Sequence, residues 1–222
     1  NPAYEGTIIR EFGHFVERGG VYKGLKPVLW CTQDQTALAE AEVEYDDHTS
    51  PSVYVKFPLV SPPAVLSKRF GGLTFPADVK SASVLIWTTT PWTLPANQAV
   101  CLHADIEYAF VQVGDELLVI AEKLVESVAK ACSLPAYTVV GVKKGAEGFE
   151  GLETQRPLTT GLSPLLLGDF VTLEQGTGCV HIAPGHGMED YLLVLNHNAK
   201  ASVGERLEIL APVDNGGRFT DA

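Results

Sequence analysis

Two short segments hold the side chains of this chain that could do chemistry. In Trp87-Thr-Thr-Thr-Pro-Trp-Thr-Leu-Pro-Ala-Asn97 an apolar run from Ser83 to Trp87 ends in three hydroxyls stopped by a proline. Pro91 pushes Thr90 out of the helical region. The threonines therefore sit at the mouth of a strand, with Thr88 and Thr90 facing one way and Thr89 the other. Hydroxyls so placed can hydrogen-bond an ester carbonyl, a ribose or an attacking water. Ordinary strand chemistry also accounts for them, because threonine is favoured on half-buried β surfaces. Trp92 reads as an aromatic at the edge of such a site, whereas Pro95 and Asn97 shape a turn.

The second segment is Gly176-Thr-Gly-Cys-Val-His-Ile-Ala-Pro-Gly-His-Gly-Met-Glu-Asp190. It places His181 in a glycine-bracketed strand and Asp190 at the start of a helix. A carboxylate there can hold an ammonium group through a charge-assisted hydrogen bond. It can equally serve only the helix dipole, worth about 0.3–1 kcal/mol. A single histidine among Cys179, Val180, Ile182 and Ala183 is either a satisfied core residue or the wall of a pocket. His186, in Pro-Gly-His-Gly, reads as a loop residue at the rim.

Three reaction classes can be built from these residues. Covalent catalysis lacks an activated nucleophile–base pair, and an unactivated threonine attacks poorly. A metal site from His181, His186 and Asp190 has a superficially suitable spacing, but the intervening glycines and proline keep the three off one helical face. Attack by a positioned water suits a substrate that is already reactive, such as an ester.

The elements that must position these groups are short strands with interspersed helices. Apolar spacing predicts a helix over Tyr4–Gly19 (Ile8, Phe12, Phe15), a short Ala/Glu-rich helix over Thr36–Glu44, and helices at Ala121–Cys132 and Met188–Leu195. Alternation predicts a strand at Ser52–Val60. Further strands are expected at Ala82–Thr89, Gln98–Leu102, Glu107–Val113, Glu116–Ile120, Thr138–Lys143, Phe170–Leu173 and Gly178–Ile182. Ser61-Pro-Pro, Phe70-Gly-Gly, Gly145–Gly151 and Gly161–Leu167 read as loops.

Length and composition bound the rest. A chain of 222 residues with 45% apolar and 19% charged residues is consistent with one compact domain. No apolar stretch approaches the length of a membrane-spanning helix. Cys31, Cys101, Cys132 and Cys179 show no C-x-x-C spacing, so reduced thiols in a cytosol-like compartment are expected. The net charge of −11, with basic residues only in small groups, argues against a surface that grips nucleic acid unaided. A non-catalytic RNA-binding barrel is disfavoured on the same ground. No P-loop or dinucleotide-binding unit is visible.

Read together, the two segments resemble the editing domain, or connective insertion, of isoleucyl-tRNA synthetases. The spellings separate that family from its valyl and leucyl relatives, which remain the nearest alternative. Thr90 stands where those relatives carry arginine, Trp92 where they carry an acidic residue, and Gly185-His186-Gly187 replaces Ala-His-Asp. His181 stands where they have lysine or methionine. Trp30-Cys-Thr, Thr36–Tyr45, Ser50–Phe57 and Pro212–Phe219 agree as well, so the resemblance covers nearly the whole chain. The nucleotide-binding signatures of a complete synthetase are missing.

The resemblance implies a mainly β fold with helices: a β-barrel core decorated by α-helices, forming a single editing domain over residues 1–222. Residues 1–45 and 200–222 would flank it or link it to a parent synthetase in cis. It further implies hydrolysis of valine from the acceptor end of isoleucine tRNA, with valyl-adenylate as a second candidate substrate and the preference between the two left open. The threonines 88, 89 and 90 would line the reacting ester and Asp190 would hold the ammonium group. His181 would size the side-chain pocket, with Trp92 and His186 near the substrate. No metal or cofactor is expected for this domain, although the parent uses ATP and magnesium. A cytoplasmic or organellar monomer without membrane contact is the corresponding expectation.

Overall fold

The computed structural model describes residues 1–220. Most strands form two sheets that share one core. The larger sheet contains β3 (Val53–Pro58), β4 (Ser81–Thr88), β6 (Glu107–Val113), β7 (Glu116–Ala121) and β8 (Tyr137–Lys144), in the order β3-β4-β7-β6-β8. Only β4 and β7 run parallel within it. The smaller sheet contains β5 (Ala99–Leu102), β9 (Glu153–Gln155), β10 (Leu162–Leu167) and β11 (Val180–Ile182), in the order β11-β5-β10-β9. Here β5 and β10 are the parallel pair.

A β-bridge between Leu59 and Thr154 joins the two sheets at one corner. The mainly β architecture with helices is as expected, but among the described residues the strands do not close into a barrel.

Strands β4, β6 and β7 of the larger sheet read as nearly continuous apolar runs because both of their faces are covered. Val84, Ile86, Phe110, Leu117 and Val119 face Val100, Leu102 and Leu165 of the smaller sheet. Their neighbours Leu85, Val111, Leu118 and Ile120 face the other way, under Val125 and Val128 of α3 (Val125–Ala131). Phe70, Phe110 and Phe149 pack with centroids 4.6–5.6 Å apart at one end of the core. The outer face of the smaller sheet, with Ala99, Cys101, Leu166 and Ile182, is covered by Val194 of α4 (Met188–Asn198).

Besides the barrel, three expectations for individual elements fail. Thr36–Glu44 is not a helix. It forms β2 (Thr36–Ala37), paired with β1 (Trp30–Cys31), and then a 3₁₀ turn at Glu40–Glu42. So short a helical pattern needs a packed face to hold it, and no residue of this turn is buried. Phe170–Leu173 is irregular, because Gly168 makes the last sheet bond, to Leu102, and Phe170 and Val171 then pack singly. Gly161–Leu167 contains β10 instead of a loop. Pro164 argues against a strand, yet the β5 register begins only at Leu165.

The helix at the chain start, α1 (Pro2–Glu17), has no buried residue and leaves Ile8, Phe12 and Phe15 exposed. A short helix, α2 (Pro63–Arg69), follows the Ser61-Pro-Pro turn with Leu66 buried. Trp30 Nε1 donates to the Asn215 carbonyl at 2.9 Å, tying the β1 segment to the loop around Asn215.

Candidate active site

β4 ends at Thr88, and Pro91 then opens a 3₁₀ turn over Pro91–Ala96 in which Thr93, Leu94 and Ala96 are buried. Proline is pre-set for the first position of such a turn. Thr88 Oγ1 accepts from the Thr90 N–H at 3.0 Å and lies 3.3 Å from Thr90 Oγ1, so these two hydroxyls do share a side. Thr89 is exposed, and its carbonyl accepts from Ser50 Oγ.

β11 pairs antiparallel with β5, placing His181 opposite Val100. Val180 and Ile182 face α4, and the two-residue alternation of the strand turns His181 the other way. The loop before β11 is held by Tyr108, whose hydroxyl donates to the Gly178 carbonyl at 2.7 Å. Only glycine fits at 178. Its φ is +73°, and a Cβ there would lie 2.4 Å from that of Ala121.

His181 is 7% exposed and bonded at both ring nitrogens. Nε2 lies 2.8 Å from Thr93 Oγ1, and Nδ1 lies 2.8 Å from Asn97 Nδ2. Burial first, and the neighbouring His186 second, push its pKa down to about 4. The ring is therefore neutral near pH 7. With both nitrogens committed to protein partners, it offers the cavity beside it carbon surface.

Asp190 sits in the first turn of α4. Its Oδ2 accepts from the Ala183 N–H at 2.8 Å, fastening the loop between β11 and the helix. A Cβ on Gly187 would come within 3.0 Å of this carboxylate, so glycine makes the approach possible. Burial raises the Asp190 pKa, and the bond from Ala183 opposes that rise. His186 meets Trp92 edge to face, with centroids 4.9 Å apart, and Trp92 is half-exposed.

These groups surround two adjoining cavities. The smaller, about 210 Å³, is lined by Thr88, Thr90, Thr93, His181, His186 and Asp190 together with Trp87, Val180 and Gly187. The larger, about 390 Å³, is lined by Thr89, the Gly176–Val180 loop and strand, Phe170, Glu174 and Glu189. Trp87, Thr88, Val180 and Asp190 line both and so mark the junction. Trp92 lines neither and reaches the site only through His186.

A cleft of about 650 Å³ between β10, α4 and the Val203–Glu205 turn is roomier still. It contains none of the residues of the two motifs. Among the described residues no three His, Cys, Asp or Glu side chains gather as a metal-ligand set.

Sequence reasoning gave no role to Trp87, Thr93 or Ser163, and only a turn-shaping role to Asn97. Asn97 and Ser163 are 0% exposed. A buried polar side chain must find partners, and polar residues beside the apolar run Ala99–Leu102 were the available signal.

Residues 1–184 match the family model of tRNA synthetases class I (I, L, M and V). The chain is 46% identical over 220 residues to the isoleucine–tRNA ligase of Moorella thermoacetica, covering 99% of this chain and 22% of that protein. It is 48% identical over 222 residues to that of Desulfovibrio desulfuricans, again spanning 22% of its length. In fold it is similar to the crystal structure of GlLeuRS-CP1, with a TM-score of 0.59 at 18% identity over 73% of this chain and 70% of the other. It is also similar to the editing domain of the P. falciparum cytosolic leucyl-tRNA synthetase, with a TM-score of 0.55 at 15% identity over 68% of this chain and 67% of that one. The chain therefore belongs to the class I tRNA synthetases of the I, L, M and V group; its sequence stands with the isoleucine enzymes, and its fold is that of the group's editing domains.

Proposed function

We propose that this domain removes valine wrongly esterified to isoleucine tRNA. The observation that carries the reading is the junction of the two cavities, where Thr88 and Asp190 line both. An aminoacyl ester has a small side chain on one side of its carbonyl and a nucleoside on the other, with an ammonium group at the join. A two-chambered site with hydroxyls and a carboxylate at the junction suits that shape. The smaller chamber receives the side chain and the larger the terminal nucleoside.

The chemical need is physical. A synthetic site that accepts isoleucine rejects valine by only about 1–3 kcal/mol per missing methylene, and the isoleucine–valine pair is the usual illustration of that limit. A second, smaller chamber can reject isoleucine by size.

In this reading the substrate ammonium pairs with Asp190. The valine side chain rests against the carbon surface of His181, and threonine hydroxyls orient the ester carbonyl and a water. Fixing the water beside an already reactive ester supplies the rate through proximity. The acid–base partner in this scheme is not His181, whose ring nitrogens are both occupied. Valyl-adenylate presents the same ammonium and carbonyl and is a second candidate substrate. The remainder of a synthetase would act in cis, with residues 1–45 and 200–222 leading to it.

The test is deacylation of valyl- and isoleucyl-tRNA(Ile) by this chain, with and without chelator. Selective loss of valine in chelator supports the proposal. Activity abolished by chelation and restored by zinc would replace it with a metal-dependent hydrolase. Binding without hydrolysis would replace it with an RNA-binding role.

A further inference from the structure

We propose that Ser163, backed by Arg156, is a positioning residue that sets the tautomer of His181 through Asn97. Ser163 lies on β10 and Asn97 just before β5, so the neighbouring strands of the smaller sheet bring them together. Arg156 Nε donates to Ser163 Oγ at 3.0 Å, and the Ser163 hydroxyl donates to Asn97 Oδ1. Asn97 Nδ2 then donates to His181 Nδ1 and to the Ala99 carbonyl, both at 2.8 Å. His181 Nε2 meets Thr93 Oγ1, whose own proton goes to the Thr90 carbonyl at 2.9 Å.

The direction of this chain follows from its first member. A guanidinium has donors and no acceptor. Ser163 must therefore accept from Arg156, and its single proton is left for Asn97. That proton marks the Asn97 atom it meets as the carbonyl oxygen, so the nitrogen faces His181. The Ala99 carbonyl, which can only accept, imposes the same amide orientation from the other side. Nδ1 of His181 must then be bare and Nε2 protonated, which directs the Thr93 proton to Thr90 at the cavity mouth. Thus Ser163 and Arg156, which line neither cavity, help determine which edge of the histidine is a donor and hold the ring in place.

Removing the Ser163 hydroxyl leaves the buried Asn97 Oδ1 without its donor. The Ala99 carbonyl alone then holds an orientation that orphans Oδ1, so the preference for it weakens and a fraction of flipped amide, with His181 protonated at Nδ1, becomes accessible. The link from tautomer to valine selection rests on the function proposed above; the tautomer itself does not. The test therefore reads the two separately.

Two-bond ¹H–¹⁵N spectra of the histidine-labelled chain at pH 7 should show His181 as the Nε2–H tautomer alone. In Ser163→Ala a mixture with the Nδ1–H form is expected, and the preference for valyl over isoleucyl ester should fall by about tenfold. Ser163→Thr, which keeps the hydroxyl, should restore both. Arg156→Met, at a half-buried position, carries the same expectation in weaker form and serves if Ser163→Ala does not fold. A folded Ser163→Ala or Arg156→Met protein with a pure Nε2–H tautomer would overturn the relay, as would a wild-type Nδ1–H tautomer. A tautomer shift in a chain that hydrolyses neither ester would uphold the relay and defeat the hydrolase reading.

Discussion

The side-chain amide of Asn97 donates to Nδ1 of His181 across 2.8 Å, between two residues that are almost wholly buried. With Nε2 bonded to Thr93, the imidazole has no nitrogen left for substrate. The histidine is thereby a wall with a fixed orientation, and its expected role is steric.

His181→Ala removes that wall. On the proposed function, the variant should attack isoleucyl-tRNA(Ile), which the wild type is expected to spare, while still clearing the valyl ester. The orphaned Asn97 amide should cost about 1–3 kcal/mol of stability. Deacylation of both esters, alongside a denaturation curve, checks the two parts. Retained discrimination would remove His181 from the sieve.

Asp190 has one observed job, the bond from Ala183, and one proposed job, holding the substrate ammonium, and two substitutions can separate them. Asp190→Ala loses the ammonium partner and the bond to the Ala183 N–H, so both activity and the anchoring of α4 should suffer. Asp190→Asn keeps an acceptor for Ala183 but no charge. Both should lose valyl-ester hydrolysis by about tenfold to a hundredfold, the equivalent of roughly 1.5–3 kcal/mol. Only the alanine variant should also lose thermal stability. Wild-type rates in folded Asp190→Asn would leave the carboxylate with its structural role alone.

The pH dependence of stability has a defined sign. The His181 pKa, held near 4 by burial, lies below the ordinary histidine value. Between about pH 6.5 and 4 the unfolded chain therefore binds the extra proton, and stability falls as the pH falls. The contribution is on the order of 3 kcal/mol across that window. His186, also lowered by burial, adds in the same direction. Asp190, raised by burial, opposes it, because the folded state takes up its proton first. Urea denaturation of wild type and His181→Gln at several pH values isolates the histidine. The variant should show the shallower acid loss, and parallel curves would contradict the burial argument.

Chelation should leave valyl-ester hydrolysis unchanged. The ring nitrogens of His181 are bonded to Asn97 and Thr93, so recruiting them to a metal would break two buried bonds. Rates measured before and after exhaustive treatment with chelator, then with zinc returned, decide the matter.

Uncharged tRNA should bind this chain only weakly, with a Kd of about 10⁻⁴ M or above at physiological salt, in keeping with non-specific contacts. The motivating observation is the net charge of −11. In a full synthetase the acceptor end would arrive as an intramolecular partner at roughly millimolar effective concentration. Titration against labelled tRNA tests this, and sub-micromolar affinity would expose a basic surface hidden from composition.

Much of this protein is legible before folding. The apolar alternation of β3, the two-faced apolar runs of β4, β6 and β7, and the helical spacing of α1 and α4 all follow from local periodicity. So does the break at Pro91, which ends the strand and leaves Thr88 and Thr90 on one side. The two motifs suffice to point to the family.

Tertiary structure decided the rest, because the deciding contacts join residues far apart in the chain. Pro164 disguised β10 until β5 and β9 flanked it, and that strand is the one that brings Ser163 to Asn97. The expected barrel became two sheets joined at Leu59 and Thr154, a matter of strand partners that alternation does not encode. Asn97 looked like a turn residue because its turn is local, whereas its bond to His181 crosses 84 positions of sequence. Residue type marks a side chain as able to hydrogen-bond. Only the packed sheet, by excluding water, determines which partner it must take.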